Sequence, residues 1–299
     1  MGTNPATPPA AFIPATNKLA IRPGRAIIFR DFLGVGTMRM KRNLALGLAM
    51  VAVALTSCLW SGCAHTSEIE HLREVAERGD ADAQFAVGLH YYTGEGVTRD
   101  YAEAIKYLRK SAEQGNAKGE WALGKAYDDG YGVPQDSDEA VKWFRQSAEQ
   151  GNAQGQFMLG RAYHNALGVP HDYAEAVKWF RKSAEQGDVL GQFMLGYVYY
   201  YGFGESINYT EAVKWLRKSA EQGDKDGQYM LGAAAVAGKG CSQDFIEAYK
   251  WLNLSSASGV GASAELRDLI ASKMTLAQIA EGKKRAAAFV PKKSSTGSQ

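Results

Sequence analysis

Acidic side chains recur three residues apart along this chain: Asp100 with Glu103, Asp136 with Glu139, Asp172 with Glu175 and Asp244 with Glu247, with Asn208 before Glu211 in the fourth place. Such pairs could trade a proton with a substrate. Gly-x-Gly turns precede them, at Gly94 and Gly96, Gly130 and Gly132, Gly202 and Gly204, Gly238 and Gly240, and could cradle a phosphate; the third copy has Ala166 ahead of Gly168. His164 and His171 flank one loop and could hold a metal, and Cys58, Cys63 and Cys241 could act as nucleophiles or ligands. Each possibility meets a simpler explanation. The acids open apolar helical patterns in capping-box spacing, where an N-cap contributes about 1 kcal/mol, and they recur five times where an active site is needed once. The glycines precede no strand and carry no Lys after the second Gly. Two His lack a third ligand, and three Cys fit neither a zinc site nor a disulfide framework. No Ser-x-x-Lys, His-Glu-x-x-His or Gly-x-Ser-x-Gly occurs. The expectation is a chain with no catalytic residues, no cofactor and no metal.

The elements that position these residues follow from one repeated word. Ser-Ala-Glu-Gln-Gly stands at 111–115, 147–151, 183–187 and 219–223, always 36 residues apart. A period of this size describes a solenoid, in which one unit cannot bury its apolar face and stacking completes the core. Units are expected at 79–114, 115–150, 151–186, 187–222 and 223–258, each with two helices. The first is capped by the Asn or Asp after the opening Gly, and the second starts at the acidic pair. Gly88, Gly124, Gly160, Gly196 and Gly232 sit inside first helices, where each costs about 1 kcal/mol relative to Ala, so a neighbouring helix is expected to approach closely. The column Tyr107, Trp143, Trp179, Trp215 and Trp251 reads as core, and Cys241, replacing a Val, as a small buried residue. In the repeated word, Ser and Ala close the second helix while Glu and Gln face solvent. Residues 68–78 align with a second helix lacking its first. After Gly259 two closing helices are expected to 290, the later one boxed by Thr275 and Gln278 and ending near Pro291, before a polar tail at 291–299. The fold class is all-α, a right-handed α/α solenoid of five units plus capping helices.

The formal charge is +2, but seven basic residues and only Asp31 precede Cys58, so the remainder carries 27 basic against 31 acidic residues, a net of −4. No basic stripe supports nucleic-acid binding. From Met40 the chain has two basic residues, an apolar run from Leu44 to Leu55 and small residues before Cys58. This is the layout of a secretory signal peptide at 40–57, and the run is short of the about 20 residues that span a membrane. Leu55-Thr56-Ser57-Cys58 resembles the lipobox of bacterial lipoproteins, which implies a lipidated Cys58; Cys63, behind Trp60, is the alternative. The absence of Asp after Cys58 implies, by the same resemblance, outer-membrane retention facing the periplasm, with a secreted or inner-membrane form as alternatives. An uncleaved anchor helix and a leader cleaved without lipid are further alternatives. Residues 58–67 are then a tether, and 1–39 a mis-assigned or extended leader ahead of a start at Met38 or Met40.

The columns Ala-Leu-Gly-x-x-Tyr, Gly-x-Gly-Val, Asp and Ala-x-x-Trp-x-x-x-Ala-x-x-Gly, as in the stretch 122–151, resemble the Sel-one-like repeat, a relative of the tetratricopeptide repeat. The resemblance covers 79 to about 259 and departs locally, with Glu205 and Ala235 in place of the usual Val and Tyr. It implies that first helices line a concave face on which a protein or peptide docks. Arg161, His164, Leu190, Tyr197, Tyr200 and Tyr201, an aromatic cluster after a polar middle, are the expected contact residues, since Tyr and Arg are enriched at hot spots; the alternative is that the tyrosines pack against one another or the next helix. The function so implied is a non-catalytic, lipid-anchored adaptor. A periplasmic hydrolase of β-lactam or peptidoglycan type and a secreted factor meeting a host protein are the alternatives.

Overall fold

The computed structural model of the chain describes residues 69–292. The extension, leader and tether expected before residue 68, both candidate lipidation cysteines and most of the tail lie outside the described residues. Among the described residues there are thirteen helices and no strand. Helix α1 covers 69–77. Five hairpins follow: α2 (Ala81–Thr93) with α3 (Tyr101–Glu113), α4 (Ala117–Asp129) with α5 (Ser137–Glu149), α6 (Ala153–Asn165) with α7 (Tyr173–Glu185), α8 (Val189–Tyr201) with α9 (Tyr209–Glu221), and α10 (Lys225–Ala237) with α11 (Phe245–Ala257). Helices α12 (Gly261–Ala271) and α13 (Leu276–Ala287) close the stack. Helix α1 buries Ile69 and supplies Leu72, Val75 and Ala76 to the first apolar layer, as a second helix without its partner should.

Side-chain caps start every helix of the five hairpins. Asp80, Asn116, Asn152, Asp188 and Asp224 each accept the amide of the third helical residue at the start of a first helix. The second helices depart from the expected capping box. Asp100, Asp136, Asp172, Asn208 and Asp244 do cap, but their own amides donate to carbonyls of the preceding first helix, at Tyr91, Tyr127, Tyr163, Tyr199 and Ala235. The reciprocal half of the box has no donor left to receive. Glu103, Glu139, Glu175, Glu211 and Glu247 pair instead with the Lys three residues on. Only the box at Thr275 and Gln278 closes in both directions among the described residues. Helix α13 stops at Ala287 rather than near Pro291, and the following strap runs back until the Lys292 amide meets the Glu221 carbonyl at 2.8 Å.

Glycines let the helices approach. A Cβ on Gly124 would lie 2.7 Å from Phe144 of its own hairpin, and one on Gly119 would strike Ser111 of the preceding unit. The first column was expected from the sequence; the second, shared by Gly155 and Gly191, joins consecutive units. Within the turns the first Gly is the left-handed C-cap and the second lies against the preceding unit's backbone, with a Cβ on Gly132 only 2.5 Å from the Tyr101 carbonyl. Ala166 must adopt φ 56° in the place of the first, the one non-glycine with positive φ among the described residues.

Three expectations about burial need correction. Trp179, Trp215, Trp251 and Tyr107 are core, but Trp143 is half-buried. Cys241 is half-buried as well, because its turn lies at the edge of two apolar layers; burial is the larger influence on its thiol and raises it above its ordinary range, a poor setting for a nucleophile. The Gln of the repeated word faces a seam rather than only solvent. Gln114, Gln150, Gln186 and Gln222 donate to Gln84, Glu120, Gln156 and Gln192 at 2.6 to 2.9 Å. Those buried partners reach the preceding unit: Gln84, Gln156 and Gln192 donate to the carbonyls of Ala76, Ala148 and Ala184.

Candidate interaction surface

First helices form one side of the stack. Helix α2 touches α4, α4 touches α6 and α6 touches α8, whereas no comparable packing joins α3 to α5, α5 to α7 or α7 to α9. The last two turns of each first helix and the turn after it therefore present one continuous row of side chains.

Unit four concentrates rings in this row. Helix α8 ends Tyr197-Val198-Tyr199-Tyr200-Tyr201; Val198 is core while Tyr197 and Tyr201, four apart, share a face with ring centroids 4.7 Å apart. His164 comes from α6, 6.5 Å from Tyr197, and also edges Tyr173 at 5.2 Å and Phe203 at 5.9 Å. Tyr200 points toward unit five, edging Tyr209 at 5.1 Å beneath the Lys239 ammonium. Four of the expected contact residues are thus joined in one cluster: His164, Tyr197, Tyr200 and Tyr201. The other two are not. Leu190 stands alone two turns away on α8, 47% exposed, and Arg161 is ion-paired with Asp128 of unit two. Tyr201, at 44% exposure, is the most open ring of the cluster that the sequence singled out.

The sequence reading missed Tyr173, Phe203, Tyr209 and Lys239. Their signal is a spacing of 30 that pairs the first residue of a second helix with the middle of the next Gly-x-Gly turn. Tyr101 stacks on Tyr131 at 4.9 Å, Tyr173 meets Phe203 at 5.0 Å, and Lys239 sits 4.9 Å over Tyr209. Ser137 and Leu167 fill these positions in between, so the row has two aromatic stretches. In the smaller one the Tyr92 hydroxyl donates to Asp129 at 3.0 Å. Burial first, and the Asp129 carboxylate second, hold that phenol far above its usual range. Burial likewise raises Tyr197 and Tyr201 above their ordinary range, and both rings present neutral apolar surface. His164 turns Nδ1 to Asn165 at 2.9 Å, and its Nε2 is enclosed among rings with no hydrogen-bond partner. His171 edges Tyr173 at 3.9 Å, and among the described residues no three His, Cys, Asp or Glu gather as metal ligands would.

Stacked antiparallel helix pairs with a repeating core, two glycine columns and a row of variable side chains define a helical-repeat solenoid. The Sel1 repeat model matches residues 81–116, 117–152, 153–188, 189–224 and 225–260, and the chain belongs to the Sel1 repeat family. It is similar to the solved structure of c5321, a protective antigen present in uropathogenic Escherichia coli strains, displaying an SLR fold, at 35% identity with a TM-score of 0.64. That match covers 75% of this chain and 49% of the other. A Sel1 repeat protein from Oxalobacter formigenes is 29% identical with a TM-score of 0.62, covering 68% of this chain and 58% of its own. This chain therefore spans about half to three-fifths of the length of these two proteins. No curated protein matches it. Proteins of the Sel1 repeat family are generally non-catalytic scaffolds for protein interaction.

Proposed function

We propose that this chain is a non-catalytic adaptor that docks a partner peptide or protein on its row of first helices, centred on units three and four. The observation that carries the reading is the cluster of His164, Tyr197, Tyr201 and Phe203, where large rings are held in fixed mutual contact while Tyr201 remains 44% exposed. Rigid aromatics of this kind give contact area at low entropic cost, and Leu190 extends the apolar track along α8. Because Tyr197 and Tyr200 also pack internally, the informative variants are at the open positions. L190S with Y201S is expected to lower partner capture at least tenfold while shifting the melting temperature by no more than about 2 °C; undiminished capture would falsify this surface.

The proposal extends to placement in the cell. The leader before Cys58 supports an adaptor anchored by lipid at Cys58, with Cys63 as the alternative, on the outer membrane of a Gram-negative bacterium and facing the periplasm. Several acyl chains at about 0.8 kcal/mol per buried methylene would hold it there. Feeding cells a clickable fatty acid is expected to label the protein, and C58A with C63A to abolish the label. A label that survives both substitutions counts against lipid anchoring.

A further inference from the structure

The fifth unit breaks a polar contact that units two to four keep. Arg109, Arg145 and Arg181 each donate to the Tyr eighteen residues on, Tyr127, Tyr163 and Tyr199, at 2.7 to 2.8 Å. Arg181 also pairs with Glu205, twenty-four residues on, at 2.8 Å. For Arg217 the same two places hold Ala235 and Cys241, which offer neither a hydroxyl nor a carboxylate. Its nearest acid is Glu247 at 3.8 Å, and that carboxylate already accepts the Trp251 indole at 2.7 Å and faces Lys250 at 3.2 Å and Arg285 at 3.6 Å.

Arg217 opens instead onto a cavity of about 400 Å³ between α9, α11 and the closing α13. Lys250, Arg285 and Lys292 line it together with Trp251 and Phe289, whose rings meet edge to face at 5.5 Å. The one acid in the lining, Glu221, is held by Lys292 at 2.5 Å. Arg285 also pairs with Glu281 at 2.8 Å, whereas the one acid near Arg217, Glu247 at 3.8 Å, is shared with Lys250 and Arg285, which leaves Arg217 the less engaged guanidinium. A planar guanidinium fork suits a carboxylate, and the volume falls within the range of small-ligand sites. Trp251 lies behind the Lys250 ammonium at 3.9 Å, and the accessible apolar wall is Ala288, Phe289 and Val290, which suits an apolar body rather than a bare ion.

We propose that this cleft, built by second helices and the C-terminal strap and separate from the aromatic row, binds a carboxylate carried on an apolar body. Arg217 receives the carboxylate, and Ala288, Phe289 and Val290 receive the body. Isothermal titration of the full chain with N-acetyl-Leu-Phe, its C-terminal amide, octanoate and inorganic phosphate tests this. The free acid or octanoate is expected to bind, the tighter of the two assigning the source to a peptide end or a fatty acid, and the amide to bind at least tenfold more weakly than the acid. R217Q should weaken the tighter ligand at least tenfold, and K292Q, on the exposed strap, should weaken it also, so that a folding defect in one variant leaves the other to decide. Equal binding of acid and amide, phosphate as tight as either carboxylate, no binding by any carboxylate, or unaltered affinity in both variants would overturn the proposal.

Discussion

Glu120 occupies a column where the other four units place Gln84, Gln156, Gln192 and Gln228. It is 3% exposed and accepts Gln150 at 2.7 Å, but a carboxylate has no proton for the carbonyl of Ala112, which stands where the other units' Gln donors find their acceptors. Desolvation raises its carboxyl above the ordinary 4.5, and the Gln150 hydrogen bond only partly offsets this. A raised carboxyl binds its proton more tightly in the folded state, so stability is highest below the ordinary value and falls as pH rises through the folded one. E120Q removes the desolvated charge and restores a donor. It is expected to stabilise the chain by about 1 kcal/mol at pH 7, with the gain shrinking toward pH 4, as read from urea midpoints at both values. A gain independent of pH would assign the effect to packing rather than to the charge.

At the scale of the turn, Ala166 pays for a left-handed C-cap that Gly supplies in the other four units. That conformation costs an L-residue about 1–2 kcal/mol, while a Gly loses about 0.5–1 kcal/mol more entropy on folding, so the balance favours Gly. A166G should raise stability by about 0.5–1 kcal/mol, or roughly 1–4 °C in melting temperature for a stack of this size. A fall would show that the turn relaxes around Ala. Helices, their order and their caps were legible in the sequence because period and Asx caps agreed in every copy and the Gly turns in all but the third, where Ala166 stands. The box was misjudged because the competing acceptor, as at Tyr91 for Asp100, comes from another helix, which residue spacing within one helix does not reveal. The seam role of Gln114 and the Gly119 contact with Ser111 were hidden for the same reason: both partners are fixed by stacking.

For the whole molecule, the row of first helices was readable as a variable surface, and four of six expected residues meet there. The rest of the site was not readable position by position. Arg161 pairs with Asp128 of the neighbouring unit instead of joining the rings, and Phe203 joins them through a 30-residue register that exists only once units stack. The proposed function places a partner against this row. Its most direct test replaces single residues with a photo-crosslinking amino acid in living cells, at Leu190 and Tyr201 on the row and at Lys182 on an exposed stretch of α7. One discrete crosslinked species is expected, the same from positions 190 and 201 and absent from 182. Crosslinks of equal yield from all three positions, or none from 190 and 201, would contradict it.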